Sequence, residues 1–155
     1  MVINIKEYGF SHLISLSIQL SQMPYYNIWI HLIWSTKKRR KLIRKNIKQK
    51  LYDHILENAK GKNIYIDHIN GIEDHVHLLI SLKPEQSISK VVQLIKGESS
   101  HWLNKSNLIE MRFEWQEEYI ALSVSKSLLS KVRSYIQDQE KHHSKRLFKE
   151  ESWEI

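Results

Sequence analysis

The run Asp74-His75-Val76-His77-Leu78-Leu79-Ile80 sets two imidazoles two residues apart. In a β-strand successive side chains point to opposite faces, so His75 and His77 share one face while Val76, Leu78 and Ile80 share the other. Two neighbouring neutral imidazoles can ligate a divalent cation. A second set lies further on, where Tyr135 and Gln139 stand beside the apolar stripe Leu128, Leu129, Val132 and Ile136. Helical geometry puts Tyr135 and Gln139 on a shared face, at i and i+4, close to that stripe. A glutamine amide buried there without partners costs about 1–3 kcal/mol, so Gln139 needs a hydrogen-bond partner or a metal. Taken singly, each set also fits an ordinary core.

Several elements must position these residues. Tyr25 to Trp34 reads as a strand, with Tyr26, Ile28, Ile30, Leu32 and Trp34 on one face and Trp29, His31 and Ile33 on the other. Apolar character on both faces predicts a central strand. Leu42 to Ala59 reads as a helix with Ile43, Ile47, Leu51 and Ile55 on its stripe and Gly61 as its stop. A strand over 63–69 follows, then Asn70-Gly71 as a hairpin turn, then the histidine strand, which ends near Pro84. Glu73 and Asp74 are expected to serve a turn rather than a metal. Ser87 is placed to cap a helix carrying Ile88, Val91, Val92 and Ile95 and running towards Leu103. Phe113 to Val124 holds another strand, clearest at Ile120, Leu122 and Val124. A last helix starts at Ser125 or Ser127 and runs to about Ser144. This β-α-β-β-α-β order with a C-terminal helix predicts an α+β, ferredoxin-like antiparallel sheet.

A chain of 155 residues with 41% apolar content fits one globular domain. Residues 1–22 show no clear helical or strand pattern and read as an extension. The domain proper is expected over 23–151, with a tail at 152–155. The absence of cysteine excludes disulfides, thiolate metal sites and a thiol nucleophile. No stretch reaches the roughly 20 apolar residues of a membrane span, and no signal peptide is evident, so a bacterial cytoplasmic location is expected. Lys and Arg number 24 against 17 acids, a net charge of +7. From Lys37 to Lys50 the bases Lys37, Lys38, Arg39, Arg40, Lys41, Arg44, Lys45, Lys48 and Lys50 stand without an acid among them. A solvated helix face does not explain that bias, and contact with a phosphate backbone does.

Taken together, His75-Val76-His77 and the later Tyr135-Ile136-Gln137-Asp138-Gln139 form a specific pair of motifs. The chain resembles the single-tyrosine HUH transposases of small insertion sequences, of the insertion sequence 200/605 type, related to the REP-associated tyrosine transposases. The stretches 30–37, 94–100 and 135–143 carry further likeness, and the resemblance runs from about Met23 to Glu151. It implies that His75, His77 and Gln139 ligate one divalent cation, Mg²⁺ or Mn²⁺. It implies that Tyr135 attacks a DNA phosphorus, giving a 5′-phosphotyrosine and a free 3′-hydroxyl. It further implies single-stranded DNA hairpins as partners and a homodimer in which the tyrosine helix can complete the partner's site. The segment after Val124 would then be the hinge. Lys37, Lys38, Arg39, Arg40, Lys41 and Arg44 would track phosphates. Trp29, Trp34 and Trp115 are stacking or core residues. His31 reads as a structural, supporting or DNA contact, His142 and His143 as a solvated or phosphate-contacting helix end, and Lys96-Gly97 as a point of close approach to DNA or a neighbour. Glu117 to Ala121 departs from the glycine-containing loop of close relatives. Two other readings are a non-catalytic single-stranded nucleic-acid binder on the same sheet and a metal-dependent hydrolase. Finding Tyr135 and Gln139 together with the histidine pair favours strand transfer.

Overall fold

The structure, a computed structural model, describes residues 25–139. The expected extension over 1–22, the tail, and His142, His143 and Ser144 lie outside the described residues. Four strands form one antiparallel sheet: β1 Ile28–Ser35, β2 Tyr65–Ile72, β3 His75–Leu82 and β4 Ile120–Val124, in the order β2-β3-β1-β4. Among the described residues three α-helices accompany them: α1 Lys45–Gly61, α2 Ile88–Lys105 and α3 Leu129–Gln137. This is the α+β, ferredoxin-like arrangement with a C-terminal helix, and β1 is central as its two apolar faces predict.

Strand alternation sorts the residues into two layers. Ile30, Leu32 and Trp34 of β1 and Val76, Leu78, Ile80 and Leu82 of β3 pack against Leu51 and Ile55 of α1 and Val91, Val92 and Ile95 of α2. The opposite face carries Leu79 and Val124, which meet Leu129, Val132 and Ile136 of α3. Ser87 caps α2 as expected, accepting from the Lys90 amide. Trp34 and Trp115 are core residues, edge to face at 6.0 Å.

Several boundaries differ from the sequence reading. The hairpin turn lies at Glu73-Asp74, not at Asn70-Gly71, which pair within β2 against His77 and Val76. Gly71 is there for close approach, not for turn conformation. A Cβ on it would strike the His75 carbonyl oxygen and come within 2.8 Å of Val76 Cα. β4 is shorter than 113–124. Phe113 and Trp115 are buried in an irregular segment that meets β1 through a single bridge between Thr36 and Trp115. Ile43 is buried but precedes α1. A 3₁₀ turn, Lys126–Leu128, leads into α3, and Leu128 is exposed rather than part of the buried stripe. α3 is interrupted by a turn at Asp138, after which Gln139 is again helical, and the expected continuation to Ser144 lies outside the described residues. Gly97 has open space where a Cβ would stand, so no close approach among the described residues requires it. Its neighbour Lys96 instead holds the segment before β4, donating to the carbonyls of Gln116 and Glu117 at 2.5 and 2.8 Å.

Candidate active site

The face of the sheet under α3 is where the chemistry-bearing residues meet. In the β1–β3 register Ile33 lies opposite His77 and His31 opposite Leu79, so His31 and His77 are diagonal neighbours on that face. Their rings stack at 5.2 Å, with His31 Nε2 3.0 Å from His77 Nδ1. His75 and His77 sit edge to face at 5.1 Å. All three imidazoles are fully buried. From above, α3 brings the Tyr135 ring to 5.6 Å from His77 and 6.0 Å from His31. A tyrosine from the last helix and the histidine pair from β3 thus share one site within a single chain.

Each imidazole is oriented by a partner. His75 Nδ1 donates to Asp74 Oδ1 at 2.6 Å. This leaves Nε2 as the lone-pair nitrogen of His75, the usual arrangement behind a metal-ligating imidazole. Asp74 is in turn held by Arg39, whose Nε and Nη2 lie 3.1 and 3.0 Å from Oδ2. Burial alone would raise the Asp74 pKa. The hydrogen bond and charge of His75, with those of Arg39, outweigh burial and hold the carboxyl below its usual range. Burial pushes the His31 pKa down to about 4, so that ring is neutral near pH 7. In the tautomer in which His77 Nδ1 donates to His31 Nε2, the lone pair of His77 lies on Nε2.

Gln139 is fully buried, one turn beyond Tyr135, and its Nε2 donates to the Tyr135 carbonyl at 3.1 Å. Its Oε1 is an oxygen donor of the type a divalent cation takes. Among the described residues no three His, Cys, Asp or Glu side chains form a group that could hold a metal. Two imidazole nitrogens and an amide oxygen form a donor set that fits a divalent cation with open positions for phosphate oxygens. Asp74 belongs to the β2–β3 turn and also orients His75.

The basic run lies at the end of β1 next to this turn. Thr36 anchors it, its amide donating to the Asp74 carbonyl at 2.8 Å and its hydroxyl to the Arg40 carbonyl at 2.6 Å. Lys38 and Arg39 then adopt left-handed backbone angles, with φ of 55° and 51°. This conformation is uncommon for residues with a Cβ, and it accompanies the placement of Arg39 on Asp74. Lys37 pairs with Glu114 at 3.2 Å and Lys41 with Glu73 at 3.9 Å. Among the described residues Lys38, Arg40 and Arg44 make no ion pair. The acids missing from the basic run itself are therefore supplied in part by distant segments. A separate cleft of about 620 Å³ lies between α1 and the end of α3, lined by Lys45, Lys48, Gln49, Tyr52, Asn70 and Gln137.

Sequence reasoning did not single out Asp67, His68, Arg133 or Gln137, which join α3 to β2. Arg133 makes a two-point contact with Asp67, Nε to Oδ2 at 2.8 Å and Nη2 to Oδ1 at 3.0 Å. Gln137 Nε2 donates to His68 Nε2 at 2.8 Å, and the Gln137 carbonyl accepts from Asn70 Nδ2 at 2.9 Å. Burial would raise the Asp67 pKa, but the hydrogen bonds and charges of Arg133 and His68 prevail and lower it.

A ferredoxin-like sheet that sets a tyrosine helix over a His-x-His strand defines the class of tyrosine transposases. Residues 24–139 match the family described as "Transposase IS200 like", and the chain belongs to that family. It is 29% identical over 119 residues to the ISDra2 transposase TnpA of Deinococcus radiodurans, covering 74% of this chain and 85% of that one. The transposase for insertion sequence element IS200 of Salmonella typhimurium is 24% identical over 120 residues, covering 74% and 78%. Among solved structures, a candidate transposase from Deinococcus radiodurans superposes with a TM-score of 0.61 at 25% identity, covering 76% of this chain and 95% of that one. A REP-associated tyrosine transposase bound to a REP hairpin shares the fold, with a TM-score of 0.60 at 15% identity and coverage of 79% and 73%.

Proposed function

We propose that this transposase binds single-stranded DNA at hairpin-bearing element ends and cleaves and rejoins it through a phosphotyrosine. The observation that carries the reading is the Tyr135 ring packed over His77 at 5.6 Å, in a site where Asp74 and His31 already orient both histidines of the pair. Tyr135 Oη attacks the phosphorus. The bond to the 3′-oxygen breaks, that oxygen leaves as a 3′-hydroxyl after taking up a proton, and the 5′-phosphate stays on the tyrosine. Because one phosphodiester replaces another, the reverse attack by a 3′-hydroxyl rejoins DNA without ATP.

A phenol with a free pKa of about 10 is a weak nucleophile at neutral pH. His75, His77 and Gln139 would hold Mg²⁺ or Mn²⁺, which as a Lewis acid polarises the phosphate. Lys37, Lys38, Arg40, Lys41 and Arg44 contact backbone phosphates, while Arg39 is committed chiefly to Asp74. Lys45 and Lys48 extend the basic surface along the cleft that reaches Gln137, two residues from Tyr135. The protein acts in the bacterial cytoplasm as a homodimer, and no helix among the described residues is long and apolar enough to cross a membrane.

The test is incubation of the protein with single-stranded element ends and Mg²⁺ or Mn²⁺, followed by denaturing electrophoresis. A covalent protein–DNA adduct is expected, lost in Tyr135→Phe and on chelation of the metal. An adduct of equal yield in Tyr135→Phe overturns the assignment. Salt-sensitive binding with no adduct and no metal dependence would instead identify a non-catalytic binder.

A further inference from the structure

Strand β2 contains an irregularity next to the site. Tyr65 pairs with Ser81 and Ile66 with Ile80, but the next pair is His68 with Leu79, so Asp67 is the extra residue of a β-bulge. A bulge bends its strand and re-aims a side chain. Here Asp67 reaches the Arg133 fork. The following residues His68 and Asn70, both on the α3 side of the sheet, meet Gln137 through its side chain and its carbonyl. Arg133 also lies over the Trp29 ring at 5.7 Å.

Helical phase makes this contact set consequential. The buried line of α3 is Val132 and Ile136, four residues apart. Arg133 and Gln137 stand about 100° to one side of that line and Tyr135 about 100° to the other. Fixing the first flank therefore fixes the roll of the helix, and the roll sets where Tyr135 points. The segment Leu129–Gln137 of α3 spans nine residues, and a helical stretch of that length relies on tertiary contacts to hold its place. Its apolar seat of Leu129, Val132 and Ile136 is non-directional. A roll of about 20° would move a side chain at the 5–6 Å helix surface by about 2 Å. Misplacement by about 1 Å can already cost about 100-fold in rate.

We infer that the bulge at Asp67, with His68 and Asn70, is a latch that sets the roll of α3 through Arg133 and Gln137, making these five positioning residues for Tyr135. The inference rests on the phosphotyrosine reading for its kinetic consequence, though not for its structural one.

Nitroxide labels on Lys131→Cys of α3 and Glu57→Cys of α1 report the docking directly, since the chain has no other cysteine. Labelled protein is diluted with unlabelled protein so that only distances within one chain contribute. The unlatched comparisons are Asp67→Asn and the milder Gln137→Ala at an exposed position. Asp67→Glu keeps the charge. Expected are a narrow distance distribution in the parent, a broad one in Asp67→Asn with kcat for adduct formation down about 100-fold and KM within about twofold, intermediate values in Gln137→Ala, and recovery in Asp67→Glu. If Asp67→Asn does not fold, Gln137→Ala decides alone. Unchanged distance distributions overturn the latch whatever the rate does, as does broadening with full kcat. Broadening with no adduct from any protein, parent included, retains the docking latch and removes the phosphotyrosine reading instead.

Discussion

On one face of the sheet Ile30, Leu32, Val76, Leu78 and Ile80 meet two helices of 17 and 18 residues, whereas on the other His31, His75 and His77 meet a helix of nine. Both faces are drawn from β1 and β3 and both are closed to solvent. The first is closed by apolar volume, which is non-directional and contributes about 1.5–3 kcal/mol for each large side chain buried. The second is closed over polar rings whose burial is tolerable only because each has an oriented partner, Asp74 for His75 and His31 for His77. Stability and chemistry are thus divided between alternate residues of the same strands, and a short helix can cover the chemical side because it need not carry the core.

This division can be broken from either side. Leu78→Ala on the apolar face should cost about 2–5 kcal/mol by chemical denaturation, with the folded fraction keeping its metal affinity. A matching loss of metal affinity in that fraction would show that the faces are not separable. Asp74→Asn should do the reverse, weakening Mn²⁺ binding by about 10–100-fold in calorimetry with a smaller loss of stability. Unaltered affinity would remove Asp74 from the support of His75. The smallest effect is expected at the rim. Lys38→Gln combined with Arg40→Gln should leave stability unchanged and lower the salt dependence of DNA binding by about two phosphate contacts in log–log slope. Arg39→Gln provides the contrast, because its effect should appear in metal binding.

The strand pairs were legible because alternation at Ile30 to Trp34 and at Val76 to Ile80 is a period-two signal that burial enforces. The meeting of Tyr135 with His77 was expected from the family resemblance carried by the paired motifs, which left open whether the tyrosine came from the same chain. Asn70-Gly71 misled because the same dipeptide that suits a tight turn also suits a place where a neighbouring backbone comes too close for a Cβ. The turn at Asp138 was hidden because the 129–136 stripe shows no break. Asp67 and Arg133 could not be paired from sequence. They are 66 residues apart, and their meeting depends on a bulge that leaves no compositional mark. The acid partners of the basic run were invisible for the same reason, since Glu114 and Asp74 reach Lys37 and Arg39 only through the fold.

The β1–β3 register, with His31 opposite Leu79 and Ile33 opposite His77, has a consequence for how the chain matures. A slip of β3 by one residue would turn the imidazoles towards α1 and α2 and turn Val76, Leu78 and Ile80 outward. A mispaired copy would then lose its core and its cutting site in the same event. For a protein that breaks DNA, faulty assembly yields an inert chain rather than an unregulated nuclease.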